Sequence, residues 1–345
     1  MKNGKAGYAV LGLGVGMAHA EAAFKSERAD LVAVCDTDEK GLSAALETYS
    51  GTKGYSNFDD LIADPEIDII SICLPSGMHS EYAVRAMRAG KNVLVEKPID
   101  ISLEKAAAID ETMRSSGVRC GVCLQNRTNV NMKPIKDAID SGRLGRILFG
   151  SFAVKWYRTG KYFRDTPFPW RGTWGMDGGG SLMNQSIHTV DLMQWLMGEP
   201  ESVTSVCELY DHNIETEAYT ASIVRFKSGA TATFTTTTCA YPGLATEISV
   251  YGSRGSIEAD ADRLKLWKLR DSDDRDEEER EMLQKFGNGN SSAEGPVGHA
   301  AMVEDIISSV IDGHDPMVPP KEAMKSLAIA LAIYESARTK KTVLL

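Results

Sequence analysis

The chain has 345 residues, enough for about two domains with sizeable buried cores. With 43% hydrophobic and 25% charged residues it has an ordinary globular composition. Its formal net charge of −10 argues against a surface that tracks nucleic-acid phosphates, which needs clustered Lys and Arg. A small-molecule partner is expected, with no nucleic acid and no membrane, because no apolar run approaches the ~20 residues that span a bilayer.

At the start of the chain, Lys2 and Lys5 precede an apolar stretch ending in Ala18-His19-Ala20, which mimics a secretory leader and its cleavage site. Five glycines between Gly4 and Gly16 suit a leader poorly. The segment reads instead as a strand (7–12, GYAVLG), a turn and a helix (18–26). Alternation of strand and helix continues: strand 31–36 (LVAVCD), helix 40–50, strand 67–74 (IDIISICL), amphipathic helix 80–90 ending in Gly90, and strand 92–96 (NVLVE). Continuous apolar strands separated by helices signal a doubly wound parallel sheet covered on both faces.

After residues 118–126 the pattern changes. A helix over 131–141 leads to a strand over 146–157 and a loop rich in aromatic residues, Arg, Gly and Pro. Residues 221–238 form two alternating runs around Lys227-Ser228-Gly229, an antiparallel hairpin, and 247–260 and 263–269 add strands of the same kind. The acidic run 271–281 reads as a solvated loop or edge, and 298–312 and 320–339 as helices. The expected architecture is α/β: a dinucleotide-type doubly wound domain over 1–125, then an α+β domain over 126–345 with a largely antiparallel open-faced sheet. The C-terminal helix is expected to pack back on the first domain.

Six cysteines (35, 73, 120, 123, 207 and 239) are scattered through strand-like segments, as in a reduced, cytoplasmic core. Cys120 and Cys123 match C-x-x-C, but three residues apart in a strand they point to opposite faces and share neither metal nor disulfide.

Three stretches could carry chemistry. Gly12, Gly14 and Gly16 lie between an apolar strand and a helix, and Asp36 ends the second strand 20 residues after Gly16. Small residues let helix N-terminal amides approach a pyrophosphate, and an acid at that distance accepts from both ribose hydroxyls while repelling a 2′-phosphate, so NAD is favoured over NADP. The rival reading is a structural glycine turn. Glu96-Lys97-Pro98 ends a buried strand at the edge where ligands bind in an open parallel sheet, although a strand-end lysine beside a salt-bridging glutamate reads equally well as structural.

In 178–198 a glycine triplet opens a helix on which Asn184, His188 and Asp191 recur at spacings of four and three, placing them on one face. A histidine is the natural proton acceptor in alcohol oxidation. His with Asn and Asp is a poor zinc set, and no metal is expected.

Together these stretches resemble the Gfo/Idh/MocA family of NAD(P)-dependent sugar oxidoreductases. The likeness runs through nearly the whole chain, on GLGVG at 12–16 with Asp36, on LPSGMHSEYAVRAMRAGKNVLVEKP at 74–98, on QNR at 125–127 with KDAIDSGRLGRI at 136–147, and on GGGSLMNQSIHTVDL at 178–192. The resemblance implies a Rossmann domain, Lys97 and His188 flanking the substrate hydroxyl, and Leu74, Pro75, His79, Glu96, Lys97 and Gln125 lining the cofactor, with Lys97–Pro98 often cis. Lys97 would hydrogen-bond the reacting oxygen and neutral His188 would take its proton as hydride passes to the nicotinamide. Homodimers or homotetramers are implied as well.

Two departures stand out. Inositol-oxidising members carry an aspartate where Asn184 stands, and LMNQSIH resembles the branch of sugar-nucleotide and pyranoside 3-dehydrogenases, with Asn184 orienting the sugar. Counted back from His19, the glycine loop is one residue short of the family's pattern. That leaves Gly12, Gly14, Val15 and Gly16 as a shortened turn under the pyrophosphate, with Met17 packing beside it. The loop at 156–174 is the expected specificity element. Tyr162 and Trp170 suit the C–H face of a sugar, and Arg158, Arg164 and Arg171 a phosphate or carboxylate; its plainer reading is a packed surface loop. The expected activity is oxidation of a sugar secondary alcohol by NAD at pyranose C3. The rivals are glycoside cleavage through transient C3 oxidation, an inositol or polyol dehydrogenase, and a non-catalytic NAD-binding regulator.

Overall fold

The computed structural model describes residues 4–164, 170–270 and 275–345. The chain divides into two compact units, Met1–Gln125 with Gly298–Met324, and Asn126–Val297 with Lys325–Leu345.

In the first unit, strands β1 (Ala6–Leu11), β2 (Ala29–Cys35), β3 (Lys53–Tyr55), β4 (Ile69–Ile72), β5 (Asn92–Glu96) and β6 (Cys120–Cys123) alternate with helices α1 (Gly16–Lys25), α2 (Glu39–Thr48), α3 (Phe58–Ala63), α4 (His79–Arg88) and α5 (Leu103–Ser116). The strands form one parallel sheet in the order β3-β2-β1-β4-β5-β6. Every residue of β1, β4 and β6 is buried, which is why these strands read as unbroken apolar runs. The strand order reverses between β1 and β4, and in such sheets ligands bind at the carboxyl edge beside that switch point. Side chains satisfy the first amides of the covering helices: Asp38 caps α2, Asn57 caps α3 and Ser102 caps α5.

The second unit begins with α6 (Met132–Asp140), β7 (Ile147–Lys155), α7 (Gly160–Arg164) and α8 (Ile187–Met197). The strands β8 (Pro200–Glu208), β9 (Tyr219–Phe226), β10 (Thr231–Thr237), β11 (Glu247–Gly252), β12 (Gly255–Asp260) and β13 (Arg263–Leu269) follow, then α9 (Arg275–Phe286). Next come α10 (His299–Asp312), which belongs to the first unit and packs on α1, β5 and β6, and α11 (Pro320–Thr339) and β14 (Val343–Leu344).

Eight strands pair in the order β13-β12-β11-β7-β10-β9-β8-β14, antiparallel except for β7 against β10. The expected hairpin is β9–β10, turning at Gly229 with φ +84°. Residues along β7, β8, β9 and β10 alternate. Phe226, Phe234 and Phe152 are buried on the face that carries α8, each contributing about 1.5–3 kcal/mol of burial, while Val206, Ile223 and Phe149 stay exposed on the other.

Two local expectations change. From Arg275 the acidic run is helical, because Glu278 accepts from Trp267 Nε1 (3.0 Å) and pairs with Arg143, while Lys268 bridges Asp276 and Glu279. The stretch after the glycine triplet is no continuous α-helix. Ser181–Gln185 is a π turn, and α8 starts only at Ile187. Asn184 and His188 therefore do not share one α-helical face.

Candidate active site

In the first unit the glycine turn connects β1 to α1. Gly12 takes φ +89°, and a Cβ there would stand 2.5 Å from the Cys73 carbonyl oxygen. On Gly16 a Cβ would stand 2.8 Å from Val10 Cγ1 and 3.1 Å from Cys73 Cβ. Gly16 thus opens the helix and brings it against the strand, the packing task of a third glycine in such loops. Gly14 has no protein atom within 4 Å of its Cβ position and, like Val15, is exposed. The fold itself places no demand on it, and its backbone is open to approach. Met17 is half-buried on the first turn of α1, which no side chain caps, so its amides can receive an anion. Asp36 directly follows β2 beside this turn, with Oδ2 accepting from Leu13 N (2.6 Å) and Oδ1 from Asp38 N (2.9 Å). These bonds aim the carboxylate at the loop. A free edge, a helix N-terminus and an acid at the second strand fit the pyrophosphate and adenosine ribose of NAD.

Strands β4, β5 and β6 deliver the other predicted residues to the same edge. Leu74 and Pro75 follow β4, Lys97 follows β5, and Gln125 follows β6. His79 ties two of these ends together, with Nδ1 2.7 Å from the Pro98 carbonyl and Nε2 2.8 Å from that of Leu74. Burial pushes its pKa down against the two carbonyls, which raise it. With both nitrogens on backbone, His79 acts by holding the loops. The Lys97–Pro98 peptide is cis. Lys91, by contrast, is structural: its buried ammonium donates to the carbonyls of Asp64 (2.7 Å) and Ile67 (2.8 Å).

Glu96 is 3% exposed and lies beneath Lys97. Its Oε1 lies 3.0 Å from His19 Nε2 and 3.3 Å from His299 Nε2, and its Oε2 accepts from Lys97 N at 3.0 Å. Burial opposes ionisation, but the two imidazoles outweigh it and hold the carboxyl well below its ordinary range. All six cysteines are free, and burial with the charge of Glu96 pushes the Cys123 thiol far up.

In the second unit the π turn exists because a distant acid holds it. Glu217, just before β9, accepts from Gly180 N (3.0 Å), Leu182 N (2.7 Å) and Ser181 Oγ (3.3 Å). Here burial outweighs these neutral donors and the Glu217 pKa is raised. The turn presents Asn184 and Gln185, which are 8% and 7% exposed. Asn184 donates to Asp177 Oδ1 and accepts from Gln185 Nε2 (2.8 Å). The same Gln185 nitrogen reaches the Tyr162 hydroxyl (2.7 Å), and Gln185 Oε1 accepts from Arg158 Nε (2.8 Å).

The guanidiniums of Arg158 and Arg171 lie 5.3 and 4.8 Å from the Tyr162 ring centre, with Arg171 also 5.1 Å from that of Trp170. Four of the five predicted substrate residues, Arg158, Tyr162, Trp170 and Arg171, thus form one cluster, which Gln185 joins to the fifth, Asn184. The Arg164 side chain and residues 165–169 lie outside the described part. His188 stands half-buried on the first turn of α8. Asp191, one turn on, receives a buried two-pronged contact from Arg127 at 2.7 and 2.6 Å.

Sequence reasoning missed Gln185, Asp177, Glu217 and His299. Their only signal was polarity, since each becomes meaningful through a partner far along the chain.

Residues 6–124 match the model of an oxidoreductase family with an NAD-binding Rossmann fold, and residues 132–258 match the GFO/IDH/MocA C-terminal domain. The chain belongs to the Gfo/Idh/MocA family. This chain is an NAD-dependent oxidoreductase of the sugar and polyol class. The chain is 28% identical to the myo-inositol 2-dehydrogenase of Thermotoga maritima, over 97% of each chain. It is 31% identical to the glucose-6-phosphate 3-dehydrogenase of Bacillus subtilis, over 59% of this chain and 57% of that one. Among solved structures, the WlbA dehydrogenase from Bordetella pertussis, in complex with NADH and UDP-GlcNAcA, superposes with a TM-score of 0.90 at 30% identity, covering 100% of this chain and 99% of that one. Among the described residues no helix is long and apolar enough to cross a membrane.

Proposed function

We propose that this Gfo/Idh/MocA enzyme oxidises the C3 hydroxyl of a pyranose in a sugar derivative or sugar nucleotide. Lys97 donates a hydrogen bond to the reacting oxygen, His188 takes its proton, and Asn184 orients the ring. The observation that carries this reading is the cluster at the π turn. Asn184 is fixed by Asp177 and Gln185, and the same Gln185 anchors Arg158 and Tyr162, so one hydrogen-bonded unit offers an amide, an aromatic face and a cation. That set suits a pyranose carrying an anionic substituent. The full-length likeness to an enzyme crystallised with a UDP-sugar acid supports it further.

Bound NAD supplies the acceptor for the hydride. Gly12, Gly14, Val15, Gly16, Met17 and Asp36 hold its diphosphate and ribose, and Leu74, Pro75 and Gln125 border it. His79 and Glu96 support the chain around Lys97 from behind. The open face of the second unit's sheet, with Val206 and Ile223 exposed, supports assembly of two or four copies.

Oxidation of an inositol is the second reading. It is favoured by the Asp177 carboxylate on the Asn184 amide, which keeps an acid at the place where inositol-oxidising members carry one. NADH formation from UDP-N-acetylglucosaminuronate, glucose 6-phosphate and myo-inositol separates the two. With whichever sugar is turned over, Lys97→Met is expected to lower kcat by about a hundredfold or more while NAD binds as before. Unchanged turnover sinks the assignment of Lys97.

A further inference from the structure

A chain of buried polar groups crosses the first unit behind Lys97. Tyr8 OH lies 2.5 Å from Ser71 Oγ, which is 2.9 Å from His19 Nδ1, and His19 Nε2 is 3.0 Å from Glu96 Oε1. The other end of the chain is His299, at the first position of α10, whose Nε2 is 3.3 Å from the same Glu96 oxygen and 3.3 Å from Gln125 Nε2. The two imidazoles lie 5.2 Å apart. They hold one carboxylate oxygen between them, and this leaves the other, Oε2, to accept the Lys97 amide at 3.0 Å. His19 and Ser71 are wholly buried, whereas the His299 side chain is 26% exposed.

We infer that His299 is a positioning residue for Lys97: it fixes the rotation of the Glu96 carboxylate and thereby the peptide from which the Lys97 side chain departs. The inference rests on the reading of Lys97 given above. Gln125 Nε2 lies 3.3 Å from the same His299 nitrogen, whose one N–H goes to Glu96, so Gln125 packs against the ring rather than bonding it, at the end of β6, the neighbour of β5 in the sheet. Misplacing a reacting group by about 1 Å can cost on the order of a hundredfold in rate. The ligand atoms of His19, Glu96, Cys123 and His299 also lie within 4.8 Å of one another, a spacing that a zinc ion would accept. The positioning reading is preferred because burial and the charge of Glu96 both disfavour the thiolate of Cys123 that a metal needs, and its Sγ lies 3.7 Å from Gln125 Oε1.

The test uses the NAD-bound enzyme with UDP-N-acetylglucosaminuronate as probe, and the variants His299→Ala, His299→Gln and Lys97→Met. Expected for His299→Ala is a kcat lower by about tenfold or more, with the KM for NAD within about threefold and the melting temperature nearly unchanged. His299→Gln keeps an N–H donor and is expected to recover most of the loss. The 13Cε resonance of Lys97, identified by its absence in Lys97→Met, should move in His299→Ala and return in His299→Gln. This signal reports on positioning whether or not the probe is turned over. Three results overturn the inference: an unmoved Lys97 resonance in His299→Ala, a loss of activity that merely follows a loss of stability, or one equivalent of metal per chain by elemental analysis. Full turnover by Lys97→Met with a shifted resonance contradicts the role of Lys97 and leaves the positioning standing.

Discussion

Each unit buries one glutamate beside its candidate site residues, and the two are pushed in opposite directions. Glu96 is 3% and Glu217 5% exposed, so loss of water penalises both charges. Glu96 faces two imidazoles and falls well below the ordinary range, whereas Glu217 faces backbone amides and hydroxyls and rises. Partners that can carry positive charge overcome desolvation where neutral donors do not. The first unit thus builds its candidate site around a carboxylate held ionised. The second uses a carboxyl group as a template for an unusual turn.

The largest expected effect is on Glu96. Glu96→Gln removes the charge that the two imidazoles face, and by analogy with broken buried pairs it should cost about 3–5 kcal/mol in chemical denaturation at neutral pH. Glu217→Gln replaces an acceptor of several N–H groups with a group that is half donor, at a cost of about 1–3 kcal/mol. Equal costs would erase the distinction drawn here.

Acidity separates the two further. The folded pKa of Glu96 lies below its unfolded value, about 4.3. Its stabilising contribution is therefore present above that value and lost as pH falls below it toward the folded pKa. Glu217 has a raised folded pKa, so its contribution is complete below the unfolded value and declines as pH rises through the folded one. Amide exchange of Lys97 should quicken, relative to its intrinsic rate, on acidification below about pH 4, and that of Leu182 on passing from about pH 4 toward neutrality. A common trend at the two amides would contradict the opposite shifts.

The smallest stability change is expected in the glycine loop. Gly14→Ala should alter stability by less than about 1 kcal/mol, because its Cβ meets no protein atom, yet weaken NAD binding measured by fluorescence titration. Gly16→Ala, blocked by Val10 and Cys73, should destabilise the first unit instead.

The parallel sheet was legible because β1 and β4 are buried throughout and β5 at all but Asn92, which leaves a strongly apolar signal. The hairpin was legible through Lys227-Ser228-Gly229 between alternating runs. The apparent miscount in the glycine loop resolves in the helix start, where Gly16 supplies the close contact and Met17 follows it on α1. Helical spacing failed at Asn184 and His188, because the π turn is imposed by Glu217, 35 residues beyond Leu182, and no local pattern announces it. His299 was equally silent. Read along its own helix it is only an end residue, and its neighbours Glu96 and Gln125 come from two strand ends far earlier in the chain.

The most direct test follows a label from sugar to cofactor. With UDP-N-acetylglucosaminuronate deuterated at C3 and excess NAD, a single turnover is predicted to place the deuterium on the nicotinamide ring, with slowed hydride transfer and a keto group at C3 by NMR. Deuterium retained on the sugar while NADH forms would show that another carbon is oxidised, and would contradict the account.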